Sequence, residues 1–405
     1  MNILYISNEY PPDTGYGGIA TYTRNMARAM VKLGHTVHVI CRSEKSEGAV
    51  VDDEGVTVHR TVCGPYPLPV HKAWYPLRRL CYLFISQALH RLAWAKTAWK
   101  KFKELSRSIR FDIIEYPECG AEGFYFAKKC TVPTTVRLHT PWSLVREIDK
   151  IKEHPLDRFL QAYMEKTSIS KADTMTSPSR ALPLLLSERW NIPHATVYPN
   201  PINSQDYSSQ RGNSQWIYTG RLEYRKGVHV LIEAYARVCT THNPPSLLLA
   251  GAAVGTMDTG EHYGDYIHGL INDLDLKSKV QHLPGVPHSR IATLLNESSV
   301  AFFPSLWENF PYACMEAMAC GLTVVASDCG GLPEMIVDGE SGILCKAGDA
   351  DALVASMRSI LDNPEKASLL GKHARERVQS LFDLEIAAIK AQELYLQTIQ
   401  KESRT

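Results

Sequence analysis

Two carboxylates eight positions apart, Glu308 and Glu316, and two cations five positions apart, Arg221 and Lys226, could do chemistry by type and spacing. Glu308 falls in a predicted loop and Glu316 in the helix that follows it. The amides of that helix's first turn, around Phe310 to Ala313, would seat an anion. A carboxylate beside a bound anion needs hydroxyl-rich company, because it accepts hydrogen bonds and repels phosphate. A sugar on one side and a ribose on the other would supply those hydroxyls. Arg221 and Lys226 stand among glycines in Gly220-Arg221-Leu222-Glu223-Tyr224-Arg225-Lys226-Gly227. There a planar fork and a point charge can clamp a diphosphate. His139 ends a predicted strand, the edge at which open α/β sheets bind ligands. Each has a plainer reading: surface and capping glutamates, solvated loop cations and a structural histidine would show the same spacings.

The elements that must position these side chains alternate between short apolar runs and helical patterns. Residues 300–303 form an apolar run that stops at Pro304-Ser305, so they read as a buried strand ending in a turn. Pro311 suits a first helical position, Ala313, Met315, Ala317 and Met318 follow at helical spacing, and Gly321 ends the helix. Residues 323–326 read as a second buried strand. The chain opens the same way, with a strand at 2–7, a loop carrying Gly15, Gly17 and Gly18, a helix at 19–33 and a strand at 36–41. Further strands are expected at 56–62, 111–116, 134–138 and 172–178. After a polar linker at 204–215 they resume at 216–219, 246–251 and 280–283. Repetition of strand, helix and strand predicts parallel sheets. A nicotinamide dinucleotide fingerprint is set aside, because the first loop is too long and the second strand ends in Cys41-Arg42, not in an acid.

Composition narrows the classes. A length of 405 residues favours two domains, and 44% hydrophobic with 21% charged residues describes a globular chain. A net charge of +1 argues against nucleic acid as a partner. Ten cysteines without a C-x-x-C pair suggest neither a zinc site nor a disulfide framework, so a reducing, cytoplasmic setting is expected. The sequence starts directly on a strand-like run, which leaves no room for a secretory signal, and no apolar run is long enough to span a bilayer. The segment 71–110 sets Trp74, Trp94 and Trp99 among Arg78, Arg79, Arg91, Lys96, Lys100, Lys101 and Lys103. It reads either as a surface meeting lipid head groups or as two amphipathic helices packed on the sheet. Asp52-Asp53-Glu54, before Gly55, reads as a solvated loop.

The spacing of Glu308 and Glu316, followed by Ala317, Gly321, Val324-Val325, Gly330-Gly331 and Pro333-Glu334, resembles the E-x7-E region of retaining glycosyltransferases of family 4. Gly220-Arg221-Leu222 with Lys226-Gly227 is similar to that family's G-R-L-x-x-x-K-G motif, and His139 with Trp142 to an H-x-x-W-like stretch. The resemblance implies an α/β, GT-B fold: two Rossmann-like domains with parallel sheets facing across a cleft. An acceptor-binding domain would span 1–205, a nucleotide-sugar-binding domain 206–382, and a helix over 383–405 would cross back. It implies a catalytic set of His139, Arg221, Lys226 and Glu308, with Glu308 on the donor sugar and Glu316 on the ribose. Donor contacts would also come from Gly17, Gly18, Gly220, Gly285, Val286, Ser305, Asn309, Phe310 and Pro311, with Gly285 and Val286 near the base. Where the family carries Asn-Gly and then Asp, this chain has Asn200-Pro201 and Asn203, which puts a role for Asn203 in doubt.

The implied activity is transfer of a sugar, with retention, from a UDP- or GDP-sugar to a glycan, lipid-linked or small-molecule acceptor. No cofactor and no metal are called for, the nucleotide-sugar being a co-substrate. Peripheral contact with the inner face of a membrane would run through 71–110. The competing readings are a nucleotide-sugar epimerase or phosphorolytic enzyme, and a non-catalytic sugar-nucleotide-binding subunit.

Overall fold

In the computed structural model, which describes residues 1–15, 17–67, 75–209, 212 and 215–402, the apolar runs assemble into two separate sheets. The first holds β1 (Asn2–Ile6), β2 (Thr36–Arg42), β3 (Ala49–Asp53), β4 (Val56–Thr61), β5 (Ile113–Pro117), β6 (Thr134–Arg137), β7 (Thr174–Ser177) and β8 (Thr196–Val197). Its order is β3-β4-β2-β1-β5-β6-β7-β8, and every pairing is parallel except β3–β4. The second holds β9 (Gln215–Thr219), β10 (Ser246–Ala250), β11 (Val280–Leu283), β12 (Ser298–Phe303), β13 (Thr323–Ser327) and β14 (Ile343–Cys345). It is wholly parallel, in the order β11-β10-β9-β12-β13-β14. Residues Met1–Leu144, Lys152–Pro201 and the C-terminal helix Leu384–Glu402 belong to one unit, and Val145–Ile151 with Ile202–Asp383 to the other.

The second unit has an apolar core in which Trp216 and Phe302 pack with ring centroids 5.2 Å apart, over Leu247, Leu249, Val325 and Met357. The first unit buries a polar cluster as well. Glu115, in the middle of β5, accepts from Tyr22 at 2.8 Å and from Tyr395 of the C-terminal helix at 2.7 Å. Arg137 on β6 lies between the rings of Tyr22 and Tyr198, at 4.7 and 4.2 Å. It donates to the Tyr198 carbonyl and to Asn200 at 3.0 and 2.9 Å. A buried charge survives where hydrogen bonds and aromatic faces replace its water.

Two expectations need correction. Asp53 is no solvated loop residue: it closes the antiparallel strand β3 and accepts from Tyr10 at 2.8 Å, from Arg24 at 3.3 Å and from Arg28. Burial would push its carboxyl up, but the bonds from Arg28, Arg24 and Tyr10 hold it below the usual range. The pair of helices expected over 71–110 is present, joined within Tyr75–Leu105 by a kink at Ile85, whose backbone is non-helical. Trp94 is 4% exposed and donates to Glu122 at 2.8 Å, and Trp99 packs on Phe102 and Phe126, so neither faces a lipid surface. His71 and Trp74 lie outside the described residues.

Two buried acids set a pH dependence for the first unit. Glu118, just past β5, receives the His139 N–H on both carboxylate oxygens, at 2.9 and 2.8 Å. Burial nevertheless pushes its pKa up to about 8, and burial does the same to Glu122. A carboxyl whose pKa is raised on folding contributes its stability below the unfolded value, near 4.5, and loses it as pH climbs through about 8. Glu118→Gln keeps an acceptor for His139 and removes the proton. The slope of unfolding free energy between about pH 5 and 8, from urea melts, should become shallower by at most about 1.4 kcal/mol per pH unit. An unchanged slope would mean that this carboxyl is ionised in the fold.

Candidate active site

In the second sheet the chain runs from β9 outward to β10 and β11, then returns beside β9 as β12 and continues outward to β13 and β14. The loops after β9 and β12 therefore leave neighbouring strands in a crevice at the switch point, where ligands of such sheets bind. Glycines let these loops touch. At Gly227 (φ +67°) a Cβ would stand 2.0 Å from the Pro304 carbonyl oxygen. At Gly330 (φ +55°), in the loop after β13, it would stand 1.8 Å from that of Glu308. The Leu306 N–H donates to the Arg225 carbonyl at 2.7 Å, and the Gly331 N–H to the Glu308 carbonyl at 2.9 Å. Three loops are thus tied around Glu308.

Glu308 is 7% exposed. Its Oε1 accepts from Arg225 Nη1 at 3.0 Å and from Lys226 Nζ. Burial pushes the carboxyl up, and Lys226 and Arg225 more than offset it, so Glu308 is held below its ordinary value and stays ionised. Arg225 is the hub that sequence reasoning missed. It donates to Glu223 and, at 3.3 Å, to the Trp307 carbonyl, while its N–H reaches Asp149 Oδ1 at 2.7 Å. Burial works against its charge, but Glu308, Glu223 and Asp149 raise its pKa. Glu223 and Arg225 occupy unspecified positions of the matched motif, and Asp149 lies in the segment Val145–Ile151, with no signal in the sequence.

Of the two cations chosen from the sequence, Lys226 is spent in part. An ammonium has three donors, and one is on Glu308. Arg221 is the accessible one: its side chain is 62% exposed and only loosely paired, Nη2 lying 3.4 Å from Glu223. Gly220, with φ +138°, opens the turn that presents it, and the Tyr218 hydroxyl closes that turn on the Arg221 carbonyl at 2.7 Å.

The helix after this loop runs Tyr312–Ala319, so Pro311 stands at its N-cap, not at its first position. Pro311 has no N–H, and its carbonyl accepts from Cys314 and Met315, the first bonds of this helix. Glu316, inside the helix, accepts from Tyr207 and His288 at 3.2 and 3.1 Å. Ser305 and Asn309 are buried, and the Ser305 carbonyl accepts from the Cys329 thiol. Phe310 packs edge-on against Phe382, with centroids 5.3 Å apart. Gly285 (φ +70°) is exposed with open space beside it, next to half-buried Val286.

The remaining residues lie in the first unit. Gly17 caps the helix Gly18–Lys32 and both glycines are exposed; a Cβ at Gly17 would meet Glu9 Oε2 at 2.9 Å. A carboxylate there favours hydroxyls over phosphate as neighbours. His139, past the end of β6, sets its ring edge-on to Tyr22 at 5.1 Å. Burial, then the Arg137 charge, pull its pKa well below the ordinary value, so it is neutral. Among the described residues no cluster of His, Cys, Asp and Glu has a geometry to hold a metal ion.

Residues 200–377 match the family described as glycosyl transferases group 1, and residues 16–206 match glycosyltransferase family 4. The chain is 27% identical over 426 residues to a glycogen synthase of Mycobacterium tuberculosis (strain CDC 1551 / Oshkosh), covering 98% of this chain and 94% of that protein. Its fold is similar to that of sucrose-phosphate synthase from Thermosynechococcus elongatus, with TM-score 0.78, 23% identity and 99% of both chains covered. It is also similar to Anabaena HepE in complex with UDP-glucose, with TM-score 0.71, 18% identity, and 98% of this chain and 100% of that one covered. The two parallel α/β units make up the GT-B fold. The chain belongs to the family 4 glycosyltransferases. It is a glycosyltransferase.

The glycine contacts can be tested directly. Gly330→Ala forces an L side chain into a left-handed backbone and against the Glu308 carbonyl, and should destabilise the second unit by more than about 2 kcal/mol. Gly285→Ala has a similar φ but open space, and should cost about 1 kcal/mol. Equal melting temperatures for the two variants would show that the close approach at Glu308 is unimportant.

Proposed function

We propose that this chain transfers a sugar from a nucleoside diphosphate donor to an acceptor hydroxyl with retention at the anomeric carbon. The observation that carries the reading is the buried, ionised Glu308, flanked by Lys226 and followed by a helix head, with the exposed fork of Arg221 on the adjoining loop. Arg221, the two remaining donors of Lys226 and the helix head at Ala313 would take the diphosphate. They would stabilise its charge as the bond to the anomeric carbon breaks. Glu308 would hold the sugar's hydroxyls and Glu316 those of the ribose, with Gly285 and Val286 beside the base. Ser305, Asn309, Phe310, Pro311 and Gly220 would shape this donor site.

The donor is assigned to the second unit and the acceptor to the first, where Gly17, Gly18 and neutral His139 offer contacts for hydroxyls. His139 would be a hydrogen-bonding partner and not a base. UDP- and GDP-sugars are the proposed donors, in keeping with the UDP-glucose complex of HepE. A glycan acceptor, and a place in polysaccharide biosynthesis, are in keeping with the glycogen synthase relative, beside lipid-linked and small-molecule acceptors. No cofactor is needed, and the two side-chain cations make the transfer independent of metal. All ten cysteines are unpaired, which fits a cytoplasmic setting. No described helix is long and apolar enough to cross a membrane.

The test is turnover of a panel of UDP-, GDP- and ADP-sugars, with and without acceptors, followed by NMR of the new linkage. Donor consumed only with acceptor, and an unchanged anomeric configuration, supports the reading. Isomerisation without acceptor would support an epimerase, and binding without turnover a non-catalytic subunit. Arg221→Ala should leave folding intact, because the side chain is exposed, and lower kcat about 10- to 100-fold, the worth of one shielded charge-assisted bond. Chelation of divalent cations should leave the rate unchanged, whereas a rate lost to chelator and restored by added magnesium would defeat the metal-independent reading.

A further inference from the structure

A glutamate side chain does not by itself fix the plane of its carboxylate, because the terminal torsion is broad and two-fold. Glu316 is fixed from outside. The Tyr207 hydroxyl and His288 Nε2 lie 3.2 and 3.1 Å from the same oxygen, Oε1. A carboxylate only accepts, so both groups must donate, and His288 carries its proton on Nε2. Burial and the Glu316 charge push the Tyr207 phenol far up, which keeps it a donor. Among the described residues no hydrogen bond falls on Oε2.

Both donors are themselves placed. The Tyr207 carbonyl accepts from Arg375 Nη1 at 2.8 Å. The same nitrogen also reaches the carbonyl of Ala319, the last residue of the helix that carries Glu316. Tyr207 and the Glu316 helix therefore share one anchor. His288 opens the helix His288–Asn296, directly after Gly285-Val286-Pro287, so its position is tied to the turn assigned to the base.

We propose that Tyr207 and His288 are positioning residues that turn Glu316 Oε2 toward the vicinal hydroxyls of a nucleotide ribose. This rests on the ribose role given to Glu316 above. A purely structural role for the pair would affect all nucleotides alike, whereas a positioning role affects only those that carry the hydroxyls.

The experiment is calorimetric binding of UDP, GDP and ADP, and of their 2′,3′-dideoxy forms, to the full chain and to Tyr207→Phe and His288→Ala. The unsubstituted protein should prefer the ribonucleotide about tenfold or more, as expected for hydrogen bonds to a charged acceptor. Each variant should reduce that preference to within about threefold while leaving dideoxynucleotide affinity within about twofold. Equal weakening of both forms, or an intact preference, would overturn the positioning role. A protein that binds nucleoside diphosphates without favouring the hydroxyls would overturn the ribose role of Glu316, and this proposal with it, and leave the diphosphate site standing. Failure of all three nucleotides to bind would remove the donor site itself.

Discussion

A negative charge buried between two cations is the constraint on which the second unit depends. Taking Glu308 out of water is costly, and removing one partner of such a pair typically costs about 3–5 kcal/mol, because the other charge is left uncompensated. The fold answers by surrounding Arg225 with acceptors. Its guanidinium and N–H together reach Glu308, Glu223, Asp149 and the Trp307 carbonyl. With both terminal nitrogens engaged and its side chain buried, Arg225 is turned to this network, which leaves Lys226 and Arg221 for a ligand. The loops around Glu308 can lie this close only because Gly227 and Gly330 lack side chains. Apolar packing of Trp216 and Phe302 sets the strands beneath, but charge and glycine set the geometry on top.

How much of this was legible follows from what kind of signal each feature leaves. Alternating strand and helix are short-range patterns, so β1, β10, β11 and the helix Gly18–Lys32 stand within a residue or so of their expected places. β3 is a five-residue edge strand, mostly exposed and ending in two aspartates, so it carries no apolar alternation to read. Its meaning lies in Asp53, whose partners Arg24 and Arg28 sit on another element. The tryptophans of the long helix were ambiguous because basic residues on a helix surround an inward stripe as readily as they mark a membrane face. Only the contacts of Trp94 with Glu122 and of Trp99 with Phe126 decide which.

The site shows the same limit at finer scale. Arg225 and Lys226 are adjacent cations, and sequence alone does not say which is buried beneath Glu308 and which keeps donors to spare. Asp149 reaches Arg225 from 76 positions away, through a segment that belongs to the second unit although its neighbours in sequence belong to the first. Tyr207 fell in a stretch that reads as featureless linker, yet its hydroxyl is on Glu316 and its carbonyl on Arg375. Polar residues in an aperiodic stretch leave no local trace of such long-range partners.

The polar interior of the first unit bears on chemistry as well as on stability. Arg137 is held permanently charged between two tyrosine rings, two residues before His139. Burial, with this fixed positive charge added, lowers the imidazole pKa well below its ordinary value and makes protonation unfavourable near neutrality. A neutral imidazole offers one donor and one acceptor, the complement of a hydroxyl, and is too weak a base to hold a proton against such a neighbour. Protonation of His139 is therefore no source of pH dependence near neutrality. The ionisable group that holds the His139 main chain is Glu118, whose pKa burial pushes up to about 8.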